Sequence, residues 1–249
     1  MEKKDNSETY INELEEKIIS LSLRLKSKTS ELNKVAENNN KTISKLVHNL
    51  KNPVGVIYSF SDMILEDLQD YSTDKLEKHL LIIKNSANFS IQLLSKVAKY
   101  SQLQSSDFES TFETINYIEF ISTIVNEFNT MAFEKNSTIE TDFPKTPIFL
   151  TADKTELSLA IQNIINNAIR YSNNNATIKI TVANNLNTID TIITDDGIGI
   201  SVEDLPHIFN DFMVVNTFSE DKQKCIGLGL SIANKIIEIH KGKIVVTST

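Results

Sequence analysis

The narrow apolar seam near the N-terminus restricts the fold of this chain more than any other feature. It runs through Ile11, Leu14, Ile18, Leu21, Leu25, Leu32 and Val35, at spacings of 3, 4, 3, 4, 7 and 3 with one polar interruption at Lys28. A helix lying on a globular core needs a wider stripe, so this pattern predicts a coiled coil over about residues 10–36. The same phase reappears at Leu46, Leu50, Ile57 and Ile64, which extends one helix through the next segment. Asn38 to Asn40 form a weak polar break and a place for a hinge. Pro53 lacks an amide hydrogen and clashes with the preceding turn, yet the phase persists beyond it, so a kink is expected and not a stop.

Tyr71-Ser-Thr-Asp74 reads as a hairpin turn, with Ser72 or Thr73 capping a second helix. That helix carries Leu76, Leu80, Ile83, Ala87, Leu94 and Val97. Two antiparallel helices bury one stripe each and leave half a core. Pairing two hairpins into a four-helix bundle completes it, so a homodimer is expected. On the first helix Ile43, Leu46, Leu50, Val54 and Ile57 share a face at about 100° per residue. His48 points the other way with Lys41, Ser44, Asn52 and Gly55, and Asn52 is its neighbour one turn on.

Composition limits what such a chain can be. The 249 residues suffice for one large or two modest domains, and a net charge of −8 argues against a general nucleic-acid binder. One cysteine, Cys225, suits a reducing cytosol. No stretch approaches the roughly 20 apolar residues of a membrane helix, and the N-terminus has no signal-peptide pattern, so a cytoplasmic chain without membrane insertion is expected.

After the polar linker Ser105-Ser106-Asp107 the pattern changes. A short strand near Phe112, a helix over about 116–133, and strands near 137–143 and 148–151 precede a helix over about 153–171. Strands follow at about 176–183 and 188–194, joined by a turn at Asn184-Asn185. A polar loop at 214–225, a helix over about 227–240 and a strand at 243–246 complete the pattern. Helices alternating with strands of a mixed sheet predict an α/β sandwich. Room for another strand after residue 246 suggests a piece of a longer protein.

Three stretches in this half carry chemistry. On the 153–171 helix, Leu157, Ala160, Ile161, Ile164, Ala168 and Ile169 form one side, and Asn163, Asn166, Asn167 and Arg170 the other. Asparagine is a mediocre helix former, and carboxamide oxygens suit a Mg²⁺ ion whose other ligands are water and substrate phosphate. Asp195-Asp-Gly-Ile-Gly-Ile200 directly follows a strand, where a carboxylate can accept from an exocyclic amine and glycines admit a flat ligand. Gly227-Leu228-Gly229-Leu230 opens a helix whose free amides favour phosphate. Each is weak alone; their order and separation make the set specific.

Over residues 38–249 the chain resembles the sensor histidine kinases of two-component systems. The resemblance rests on an H box (Val47-His-Asn-Leu-Lys-Asn-Pro53), an N box (Asn163 to Tyr171) and a G1 box (Asp195 to Gly199). An F box (Ile208-Phe-Asn-Asp-Phe212) and a G2 box (Gly227 to Leu230) follow. It implies a dimerisation and histidine-phosphotransfer hairpin over 39–104 and an ATP-binding domain over 105–249, which follow the coiled-coil helix that the seam predicts, placed over 1–38. His48 would be the phosphoacceptor and Asn167 the Mg²⁺ ligand, with Asn163 beside it. Arg170 and Tyr171 would contact ATP, and Asp195 would read the adenine amine. Gly197 and Gly199 would let the base lie close. Gly227, Leu228 and Gly229 would belong to the nucleotide site and hinge a lid over about 211–226, which Phe209 and Phe212 would help dock. The implied partner is the receiver domain of a response regulator.

Two positions depart from the family pattern. The residue after the histidine is usually Glu or Asp, a base for the imidazole proton, and here it is Asn49. Cys225 stands where another glycine often opens the G2 box. Asn52 retains the Thr-or-Asn position that aligns water for dephosphorylation. An active autokinase therefore competes with a weak ATP-binding scaffold that mainly dephosphorylates its partner. An ATPase or chaperone sharing the nucleotide fold would have no need of His48. His79, His207 and His240 are scattered, without metal-ligand spacing.

Overall fold

The computed structural model describes residues 2–68, 71–105, 107–215 and 225–248. The chain divides into two compact units, Met1–Asn52 and Pro53–Thr249.

The first helix, α1, spans Glu2–Glu66. Asn38–Asn40 do not interrupt it, because asparagine costs a helix only a fraction of a kcal/mol per residue. Pro53 lies inside it without ending it. Side chains at 2–15, 18, 34–36, 38, 39 and 41 lie outside the described residues, so the seam at Ile11, Leu14, Ile18 and Val35 does too. Leu21, Leu25 and Leu32 are 56%, 69% and 69% exposed, so that stretch of the seam is uncovered among the described residues.

In the second unit, α2 spans Thr73–Gln104 and is capped by Ser72, whose hydroxyl accepts the Lys75 amide at 3.4 Å. Phe60 meets the His79 ring edge-on at 4.8 Å, and the Tyr71 hydroxyl lies 2.7 Å from His79 Nδ1, which fixes the hairpin turn. Along α2 only Ser90, Leu93 and Leu103 are buried.

The α/β portion comprises β1 (Glu113–Asn116), α3 (Tyr117–Glu134), β2 (Thr138–Asp142), β3 (Phe149–Ala152), α4 (Lys154–Tyr171), β4 (Thr177–Asn184), β5 (Ile189–Thr194) and α5 (Gly229–Ile239). The strands form two sheets. β1 pairs antiparallel with β3, while β2–β4–β5 is mixed, parallel at β2–β4 and antiparallel at β4–β5. Along β4, Ile178, Ile180 and Val182 point inward in the alternation expected of a half-buried strand. With Ile121 and Ile124 of α3 and Ile161, Ile165 and Ile169 of α4 they form the core between sheet and helices.

Two expectations fail here. Residues 243–246 form no strand, since no described strand pairs with them. The last helix begins at Gly229 and not at 227, because Gly227 takes φ 74°, which no right-handed helix accommodates.

Candidate nucleotide site

The site is built on α4. Asp153 caps the helix: one carboxylate oxygen accepts the Glu156 amide at 3.1 Å, the other the Thr111 amide at 2.9 Å. The Asp153 amide donates to His240 Nε2 at 3.0 Å, and His240 Nδ1 lies 2.8 Å from the Ile236 carbonyl oxygen. A carbonyl only accepts, so Nδ1 carries the hydrogen and His240 is a structural link between α5 and α4.

The asparagine row of α4 does not share one environment. Asn163 is buried, donates to the Leu159 carbonyl at 2.9 Å, and turns its oxygen toward Gly229, where a Cβ would stand 3.1 Å away. It packs α4 against the start of α5 and is not the exposed neighbour of Asn167 that periodicity predicts. Ile165 is fully buried in the core and Ile164 is not, the reverse of the expectation, because α4 is covered both by the sheet and by α5. Asn166 and Asn167 remain half-exposed. The Asn167 side chain makes no hydrogen bond among the described residues, so its carboxamide oxygen is available to a hard cation. No cluster of three or more His, Cys, Asp or Glu able to hold a metal occurs among the described residues. The donor set thus fits Mg²⁺ held by one or two protein oxygens and by phosphate.

At the C-terminal end of α4, Tyr171 organises two loops. Its carbonyl accepts the Ile198 amide at 3.1 Å, and its hydroxyl shares a 2.8 Å hydrogen bond with Cys225 Sγ. Burial, then the Cys225 contact, pushes that hydroxyl well above the ordinary phenol range, so it stays protonated. Half-buried Arg170 precedes it, and the Arg170 carbonyl accepts from Lys135 Nζ at 3.0 Å. Asp195 is exposed and accepts the Gly197 amide at 3.0 Å with one oxygen. A Cβ at Gly197 would stand 2.5 Å from the Tyr171 carbonyl oxygen. The packing of the protein thus already requires glycine there. Gly199 takes φ 70°.

The glycine turn before α5 has a similar logic. A Cβ at Gly227 would lie 2.6 Å from the Phe212 carbonyl carbon, so the two ends of the 211–226 segment are in contact. Residues 216–224 of the expected lid lie outside the described residues. The Leu228 side chain is fully buried, which leaves only its backbone for a ligand. Phe212 is buried too, at a positive φ of 56°. The periodic reading missed Lys99, Tyr100 and Glu156: Lys99 pairs with Glu156, and the Tyr100 hydroxyl donates to Asp211. Nothing in the local pattern points across the intervening sequence to those partners.

Comparison with known proteins agrees with this geometry. The profile of the histidine kinase-, DNA gyrase B- and HSP90-like ATPases matches residues 152–249. The chain is 33% identical over 206 residues to histidine kinase P4 of Formosa agariphila, covering 81% of this chain and 15% of that protein. Over most of its length the chain is similar to sensor histidine kinases, and residues 152–249 match the ATPase family. Sensor histidine kinase WalK of Bacillus subtilis is 25% identical over 86% of this chain and 35% of its own length. The chain thus spans well under half of either relative. The family fold recurs in the histidine kinase AdeS of Acinetobacter baumannii, at TM-score 0.63 and 21% identity, covering 81% of this chain and 91% of that one. It recurs as well in the histidine kinase ThkA solved with the response regulator TrrA, at TM-score 0.68 and 21% identity, covering 84% and 57%. In this chain the C-terminal half of α4, the loop at 195–199 and the turn at 225–229 meet around Tyr171 and Asn163.

Proposed function

We propose that the chain is an ATP-dependent histidine autokinase: His48 takes the γ-phosphoryl group of ATP and passes it to an aspartate of a response-regulator receiver domain. The convergence on one face of α4 of Asn163 with Gly229, Tyr171 with Gly197, and Tyr171 with Cys225 carries this reading. Asn167 would hold Mg²⁺, which offsets phosphate charge when bound, and Asp195, which keeps an oxygen without a hydrogen bond among the described residues, would accept the adenine amine. Gly199, Arg170 and the backbone of Leu228 would line the same nucleotide. The exposed imidazole of His48 offers a ring nitrogen for in-line attack on the γ-phosphorus.

The functional segments remain 1–38, 39–104 and 105–249. Exposed apolar side chains on α1 and α2, among them Val54, Leu80, Ile91 and Leu94, support a homodimeric four-helix bundle preceded by a coiled coil. No helix among the described residues is long and apolar enough to cross a membrane, in keeping with a cytoplasmic placement. The TrrA complex of ThkA supports a receiver domain as partner.

Incubation with γ-labelled ATP should give acid-labile label on the protein, and His48→Gln should abolish it; label retained in that variant would overturn the assignment. Half-buried Asn49 favours a second reading, a slow kinase or a response-regulator phosphatase, because a carboxamide cannot take the imidazole proton. Asn49→Asp should then speed autophosphorylation by at least about tenfold, within the usual range of a positioned base. An unchanged rate would remove that reading.

A further inference from the structure

A short stretch of α2 reaches the turn that closes the nucleotide face. The Tyr100 hydroxyl donates to the Asp211 carboxylate, and burial followed by that bond raises its pKa, so it remains a donor at any physiological pH. Asp211 precedes Phe212, whose φ of 56° is sparsely populated for a bulky side chain and persists only where its surroundings hold it. The Phe212 backbone in turn lies against Gly227, with no room for a Cβ between them. Gly227-Leu228-Gly229 then leads to the contact of Gly229 with Asn163. Tyr100 is thus the outer end of an unbroken row of contacts that finishes on the asparagine face of α4. Its neighbour Lys99 pairs with Glu156 at the opposite end of α4, and so ties α2 to the same domain without touching that row.

We propose that Tyr100 is a positioning residue for nucleotide binding: its bond to Asp211 holds the contact between Phe212 and Gly227, and through it the pose of α2 sets the geometry of the nucleotide face. The proposal rests on the nucleotide-binding reading above. It makes α2, a helix of the phosphotransfer hairpin, a reporter of bundle conformation to the ATP site.

The test is calorimetric titration of the full chain with the non-hydrolysable ATP analogue AMPPNP and Mg²⁺. Tyr100→Phe, which removes one oxygen, should weaken binding about tenfold, as expected for a lost hydrogen bond to a charged group. Asp211→Ala should do the same from the other end, and the double variant should lose little more than either single one. Lys99→Met, which breaks the other tie, should bind within about twofold of the parent chain. Unfolding midpoints without nucleotide should stay close together for the Tyr100 and Asp211 variants, while Lys99→Met, which leaves the buried Glu156 carboxylate without its cation, should unfold earlier and still bind nucleotide. Parent-like affinity in both Tyr100→Phe and Asp211→Ala would overturn the proposal. Equal losses in Lys99→Met and Tyr100→Phe would also overturn it, since α2 would then act only as a platform. A parent chain that binds no nucleotide would instead remove the functional reading underneath.

Discussion

The long helices and the α/β sandwich solve the burial problem in opposite ways. In the sandwich, Ile121, Ile165, Ile169, Ile178 and Ile180 are all at or below 1% exposure, so its core is complete within one chain. Along α1 and α2 large apolar residues face outward: Leu25 is 69% exposed, Leu65 73% and Ile91 62%. Contiguous apolar faces of that kind mark interaction surfaces, whereas scattered ones need no explanation. The lesson is that the sandwich buries its core among its own elements, while the helices leave their apolar stripe uncovered among the described residues.

The comparison predicts the largest stability effect in the sandwich. Ile169→Ala removes a fully buried side chain from the core and should cost roughly 2–5 kcal/mol. Against a total of about 5–15 kcal/mol for a domain, that brings it close to unfolding. Denaturant titration followed by far-UV circular dichroism measures it. A loss under about 1 kcal/mol would mean the sandwich is less self-sufficient than its burial suggests.

The matching experiment on the helices is Leu25→Ala. Within an isolated chain an exposed leucine contributes within about ±0.5 kcal/mol. If a second copy buries the seam, the same change should cost about 1–3 kcal/mol of dimer stability, up to a hundredfold in the dissociation constant. Sedimentation equilibrium on both proteins reads the difference. An unchanged association constant would show that this stretch of α1 is not part of a dimer seam.

How far the sequence foretold these differences depends on the range of the interaction. The α4 helix was legible because Asp153 caps it and its apolar period is regular; β4 and β5 were legible because they alternate about a short turn. The stretches around Asn163, Asp195 and Gly227 stood out in the sequence as a set, and in the structure Gly229 lies against Asn163 and Gly197 against Tyr171. What could not be read was which neighbour covers which face. Asn163 looked exposed because its periodicity says nothing of α5, which arrives from a distant part of the chain. Residues 243–246 have the β-branched composition of a strand, but strand formation requires a ladder partner. At Gly197 nothing in the sequence showed that the missing Cβ also makes room for the Tyr171 carbonyl. The Tyr100–Asp211 and Lys99–Glu156 pairs carry no local signature at all.

The boundary between the two regimes runs along α2, and Lys96 probes it with the smallest effect. Its pKa is lowered by burial first and by nearby Arg170 second, with Cys225 opposing. Burial disfavours the ammonium, so keeping it charged in the folded protein carries a penalty near pH 7. A folded-state pKa below the unfolded value means that the unfolded chain binds more protons between the two values. Stability contributed by this site therefore rises with pH across that window, up to the ordinary lysine range near 10.5. Lys96→Met keeps the aliphatic stem and removes the charge, so it should raise the unfolding midpoint near pH 7, by less than about 1 kcal/mol in free energy. The gain should shrink as the pH approaches 10, where the parent lysine loses its own proton. Thermal scans of both proteins from pH 7 to 10 separate this from simple repacking, which would give a gain independent of pH. A destabilised Lys96→Met would instead place Lys96 among the ties, such as Lys99 to Glu156, that hold α2 to the sandwich, and would move the boundary of the self-sufficient core outward by one turn of that helix.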